Sequence, residues 1–205
     1  MGIYENHVLP RIVDLSCGSA MLDPVREQTC EGLHGRVVEI GFGSGRNVPF
    51  YPGAVDSVTA VEPVDLGWRM AGKRLAAATV PVERSGLDGQ SLPFADNSFD
   101  SALSTWTLCT IPDAAAALAE LRRVLVPGGT FHFVEHGLAP HAEVQKWQHR
   151  LNPVQQRLFG GCNLNREIRV MIENSGFEIR EVDHFYEGMA PKFMGALARG
   201  VAISV

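Results

Sequence analysis

Glu39, Gly41, Gly43 and Gly45 fall at alternate positions in the stretch RVVEIGFGSGRN, residues 36–47. A glycine-rich turn leaving a strand lets the backbone approach a ligand closely and adopt conformations that a Cβ forbids. Its chemistry is the holding of a polar small molecule, and the spacing narrows the choice. A dinucleotide fold requires G-x-G-x-x-G. Here the third glycine follows the second by one intervening residue, which disfavours an NAD-dependent oxidoreductase. Glu62 lies roughly 20 residues beyond Gly41, where nucleotide-binding βαβ units place the carboxylate that takes a ribose hydroxyl. A second polar group, Glu135-His136, ends a hydrophobic run. With an unperturbed pKa near ~6.5, His136 can orient a substrate or accept a proton.

The elements that position these groups follow from period and punctuation. Residues 37–40 form a short β-branched run bounded by glycine, a buried strand. Strand signals recur at 57–61, 80–83, 101–105, 130–134, 177–185 and 198–205. Residues 47–51 read as a short helix whose free N–H groups suit a carboxylate. Residues 66–78 read as a helix facing the sheet with Leu66, Met70 and Leu75, and Asp113 as the N-cap of a helix reaching 125. Val8, Leu9, Ile12, Val13 and Leu15 recur at helical spacing, with a second short helix over 24–30. Residues 139–165 are an insertion in which Trp147, Leu151, Val154, Leu158 and Phe159 make a helical stripe expected to pack as core. Asn165 is then expected to cap a helix ending near Ser175-Gly176.

At 205 residues the chain suits one domain with a full core. Its net charge of -5 argues against a nucleic-acid footprint. No apolar run is long enough for a membrane span, and the first residues lack a signal-peptide pattern. Stable membrane insertion is therefore not expected, and a cytoplasmic location is. Cys17, Cys30, Cys109 and Cys162 are widely separated with no C-x-x-C, so the reading is reduced thiols, no metal site and no disulfide framework.

Four segments carry a resemblance: GRVVEIGFGSGRNVPFYP, TWTLCTIPD, LRRVLVPGGTFHFVEHG and GGCNLNRE. The E-x-G-x-G-x-G loop resembles that of class I S-adenosylmethionine (SAM) methyltransferases. Over residues 36–166 the chain is similar to bacterial relatives of the animal alkyl-thiol methyltransferases, and more broadly to ubiquinone/menaquinone C-methyltransferases. The resemblance implies an α/β, Rossmann-like fold: a seven-stranded, mostly parallel sheet with an antiparallel last strand and helices on both faces. It implies one domain over 1–205, with 1–33 a helical cover and 138–165 a substrate lid. SAM is the implied cofactor, leaving as S-adenosylhomocysteine. Glu39, Gly41, Gly43, Gly45, Asn47, Glu62, Pro63, Asp88, Gly89 and Thr105 are the implied cofactor residues, although Gln90 stands where the family more often has an acid.

The acceptor is expected to be a small molecule, a thiol or hydrogen sulfide. His136 and Arg166 are candidates for favouring its thiolate, and Trp106 for excluding water. Tyr4, His7, Thr107, Glu135 and Asn163 are candidates for the pocket. Glu135 and His136 have the plainer alternative of satisfying backbone groups around the pocket, whereas Asn163 and Arg166 are read as pointing into it. Carbon methylation of a quinone-type acceptor, N-methylation of an amine or phospholipid headgroup, and a non-catalytic SAM sensor are the competing functions.

Overall fold

The computed structural model describes residues 4–85, 88–188 and 190–205; Gly86 and Leu87, in the segment after the third strand signal, lie outside them. The strands are β1 (Gly35–Ile40), β2 (Val55–Val61), β3 (Val82–Arg84), β4 (Phe99–Thr105), β5 (Leu125–His136), β6 (Phe177–Tyr186) and β7 (Ala196–Ser204). They form one sheet of order β3-β2-β1-β4-β5-β7-β6. Pairings from β3 through β5 are parallel, and β7 runs antiparallel to both β5 and β6. The expected fold class is observed.

Alternation along each strand builds a core on either face of the sheet. Val38, Ile40 and Ala102 join Phe131, Phe133 and Leu118 in one apolar cluster. Val37, Val58, Ala60 and Leu103 join Cys30, Phe42 and Val48 in the other. The helices are α1 (Leu9–Ser16), α2 (Asp23–Cys30), α3 (Asp65–Met70), α4 (Gly72–Ala76), α5 (Ala114–Val124), α6 (Ala142–Leu158) and α7 (Ile168–Asn174), of which α2, α3, α4, α5 and α7 pack residues against these clusters. Asp113 caps α5 as expected, its side chain accepting from Ala116 N at 2.9 Å. Among the described residues no helix is long and apolar enough to cross a membrane.

Three local expectations are corrected. The helix read over 66–78 is broken at Ala71 into α3 and α4, next to Gly72, a residue that weakens a helix interior by about 1 kcal/mol. The apolar stripe of α6 is not core: Trp147, Val154 and Leu158 are each more than half exposed. The face that α6 buries carries Gln148 and Gln155 instead. Gln148 is satisfied there by accepting from Ala139 N and donating to Gly137 O, which is how a buried amide is tolerated. Asn165 does not cap α7. Glu167 holds the N-cap position, and the Asn165 amide meets His149 Nδ1 at 2.9 Å.

Candidate active site

A cavity of about 960 Å³ opens beyond the carboxyl ends of β1, β2, β4 and β5, where open α/β sheets bind ligands. Gly41, Gly43 and Gly45 all have positive φ, at 70°, 57° and 72°. At Gly41 the requirement is also spatial, since a Cβ would lie 2.0 Å from Thr107 Oγ1. Glu62 is 5% exposed and borders the cavity. Its Oε2 accepts from Gly43 N at 2.6 Å and its Oε1 from Val64 N at 2.7 Å, so it clamps the glycine loop. Burial raises its pKa against those two N–H donors. Pro63, Asp88 and Gly89 border the same cavity, and Asp88 Oδ1 shapes its turn by accepting from Gln90 N.

Glu39 lies beneath the loop and is not among the residues bordering the cavity. It accepts from Asn47 Nδ2 at 2.9 Å and from the Tyr51 hydroxyl. Burial pushes its carboxyl up to about 7 while both donors oppose the shift. Asn47 Nδ2 also donates to Thr105 Oγ1, and Asn47 Oδ1 accepts from Arg26 at 2.7 Å. Asn47 and Thr105 border the cavity. Sequence reasoning passed over Arg26, which is 4% exposed, bonds Cys17 O and lies 4.6 Å above the Trp106 ring. Its buried Nε has no hydrogen-bond partner among the described residues. A lone arginine in a short helix carries no motif, so only folding shows where it points.

Beyond β4 the chain turns sharply. Trp106 has a φ of 51°, a conformation costly for a non-glycine residue. The turn is held by Trp106 N donating to Val134 O and by Glu135, which is fully buried. Glu135 accepts from Ser104 Oγ at 2.7 Å, Thr107 N at 3.0 Å and Cys109 N at 3.1 Å. Trp106 and Thr107 border the cavity, but Glu135 supports the wall from behind. Burial raises its pKa, with those donors opposing.

Arg166 and Asn163 also stand behind the wall. Arg166 donates to the carbonyls of Leu108 and Pro112, and Asn163 Nδ2 to that of Cys109 at 3.0 Å. Neither borders the cavity, because the backbone turn they hold lies between. Tyr4 bonds Leu158 O and is exposed, and His7 is exposed with its carbonyl taken by Arg11. Neither belongs to the cavity wall, which α1 forms through residues such as Leu9 and Val13.

His136 does border the cavity, and it is not alone. Its Nδ1 lies 3.8 Å from Cys109 Sγ and 3.6 Å from Cys162 Sγ, and the two sulfurs are 3.7 Å apart. The reading of scattered cysteines without a ligand cluster is thus corrected: strand order and the α6–α7 turn unite residues 109, 136 and 162. Their signal was each cysteine's place in TWTLCTIPD and GGCNLNRE beside EHG. Cys162 is pushed down by the Cys109 thiol and His136, outweighing burial, and Cys109 is pushed up by the same sulfur contact and by burial. For His136, burial acts downward but Cys162 outweighs it, leaving the net shift upward.

A family model described as "Methyltransferase domain" matches residues 38–133. The chain is 31% identical over 150 residues to a phosphatidylethanolamine N-methyltransferase of Cereibacter sphaeroides, covering 66% of this chain and 70% of that one. The chain belongs to the class I SAM-dependent methyltransferases. It is also 34% identical over 152 residues to the human thiol S-methyltransferase TMT1A, covering 72% of this chain but only 62% of that protein's length. In fold it is similar to a geranyl diphosphate methyltransferase in complex with SAM, with a TM-score of 0.71 at 14% identity, covering 95% of this chain and 88% of that one. SAM is the cofactor of this family.

Proposed function

We propose that the protein transfers the methyl group of SAM to the sulfur of a small thiol. The observation that carries this reading is the His136–Cys162 pair on the wall of the large, open cavity. SAM fits the residues present: a glycine loop where a Cβ at Gly41 would not fit, a clamped carboxylate at Glu62, and the Asp88–Gly89 turn opposite. In this reading Glu62 takes the ribose hydroxyls, Asp88 and Gly89 meet the adenine edge, and Asn47 and Arg26 organise the end that receives the amino-acid part. Glu39 holds Asn47 from below. Bound there, SAM supplies an electrophilic methyl on a sulfonium.

The chain's own residues then do three things. Trp106, stacked under Arg26, and Thr107 form the wall at the end of β4 that excludes water and aligns the acceptor. Alignment can contribute ~7–11 kcal/mol of the barrier. A thiol with a pKa near ~8.5 is a few per cent thiolate at neutral pH. His136 borders the cavity and can offer that sulfur a hydrogen bond. Glu135, Asn163 and Arg166 hold the turn that presents Cys109 and Trp106, and so act as positioning residues.

The relationship to the human thiol S-methyltransferase supports sulfur as the acceptor. The phosphatidylethanolamine N-methyltransferase supports an amine headgroup as the second reading. An acceptor screen with isotopically labelled SAM separates them. It would offer sulfide, ethanethiol, a quinol and a phosphatidylethanolamine headgroup, with product read by mass. Methyl on sulfur alone is expected. Methyl on nitrogen or carbon with none on sulfur overturns the thiol reading.

A further inference from the structure

We propose that Cys109, His136 and Cys162 form a binding site for one zinc-like divalent cation, with its fourth coordination position facing the cavity. The three ligands come from the turn after β4, the end of β5 and the turn between α6 and α7, and their donor atoms all lie within 4.8 Å of one another. A tetrahedral ion with sulfur at ~2.3 Å and nitrogen at ~2.05 Å separates its ligands by about 3.8 Å between sulfurs and about 3.6 Å from sulfur to nitrogen. The protein shows 3.7 Å between the sulfurs, and 3.8 and 3.6 Å from them to His136 Nδ1. The triad has tetrahedral spacing.

The ligands are also held in place. Cys109 donates its N–H to Glu135 and its carbonyl accepts from Asn163 N at 2.8 Å. Cys162 N donates to Phe159 O at 3.1 Å. A disulfide would draw the sulfurs to ~2.05 Å and leave the imidazole no part. Two thiolates and an imidazole suit a borderline-soft ion and not magnesium or calcium. Structural zinc sites close with four protein ligands, whereas three leave a position for a substrate or water. All three residues here border the cavity.

The site itself is independent of the acceptor. What fills its open position rests on the thiol reading: a thiol entering there gives its proton to solvent and binds the cation as thiolate. With the ion bound, the cation and not the imidazole faces the acceptor sulfur.

The test titrates the intact 205-residue chain, reduced with a phosphine and freed of metal, with Co(II) and then Zn(II). We expect one Co(II) per chain, intense visible bands of a tetrahedral ion, thiolate-to-cobalt charge transfer, and bleaching by one equivalent of Zn(II). Cys162→Ser and His136→Gln should weaken binding about tenfold or more, while Cys17→Ser should not. X-ray absorption of the zinc-loaded wild type keeps the test independent of variants that fail to fold, and should count two sulfur scatterers. Absence of stoichiometric binding, a weak octahedral spectrum or fewer than two sulfurs overturns the site. A third sulfur on adding ethanethiol supports the open position as the thiol's seat; an unchanged count overturns that part alone. Loss of the thiol reading in the labelled-SAM screen would leave the cobalt spectrum intact, so the two failures are distinguishable.

Discussion

Neighbouring glycines in one loop answer to different constraints. At Gly41 an added Cβ meets Thr107 at 2.0 Å and the backbone is left-handed. Gly41→Ala should therefore cost about 2–5 kcal/mol of stability, from backbone strain and overpacking together, read by urea unfolding. At Gly43 the nearest atom is 3.9 Å away and belongs to the loop itself. Gly43→Ala should cost only about 1–2 kcal/mol and remain folded. Its Cβ would instead crowd the cofactor, and SAM affinity by calorimetry should fall about tenfold or more, near 1.4 kcal/mol. Unchanged affinity would remove Gly43 from the cradle. Arg166 was the sequence's candidate for a cation at the reacting sulfur, but its two terminal nitrogens each donate to a backbone carbonyl and it does not border the cavity. Arg166→Ala should lower stability by about 1–3 kcal/mol, while single-turnover methyl transfer per folded molecule changes little. A large loss of transfer with stability intact would restore its direct role.

At the scale of elements, β5 joins the site to the rest of the sheet. Its His132 is 2% exposed, with Nδ1 3.1 Å from Thr29 O on α2. Burial holds its pKa down to about 4, partly opposed by that contact. The folded state therefore keeps a neutral ring, whereas the unfolded chain takes up a proton below about 6.5. Stability from this residue is whole above pH 6.5 and is lost as pH falls toward 4, for a total of about 3 kcal/mol. Between pH 7.5 and 5 the wild type should lose about 2 kcal/mol more than His132→Gln, measured by urea unfolding at each pH. Equal losses would show that protonation of this ring does not contribute to the loss of stability. The same scale explains what patterning misread in α6. Periodicity locates an amphipathic face, but here Gln148 and Gln155 carry the buried side and Trp147 the open one. Which face is buried depended on the backbone groups at Gly137 and Ala139 that Gln148 satisfies.

For the whole molecule, the cavity draws its wall from α1 and α2, the ends of four strands, and the turn after α6. A ligand that bridges those parts should stabilise them together. At 100 times its dissociation constant S-adenosylhomocysteine should add about 2.7 kcal/mol. For a chain of this size that is a rise in melting temperature of about 5–11 °C, measurable by scanning calorimetry. Glu62→Gln should shrink the shift; an undiminished shift would take Glu62 out of the cofactor site. The sequence alone located the strands, the glycine loop and one helix cap, through short-range signals: alternation, β-branched runs, glycine spacing and one capping aspartate. The architecture of the sheet and the family came with the resemblance that four of its segments carry. The tertiary structure alone decided that Glu39, Glu135, Asn163 and Arg166 stand behind the wall, that Arg26 lies over Trp106, and that Cys109, His136 and Cys162 meet. Those three residues lie far apart along the chain, and their approach depends on strand order and on the left-handed turn at Trp106. No local periodicity encodes such a meeting.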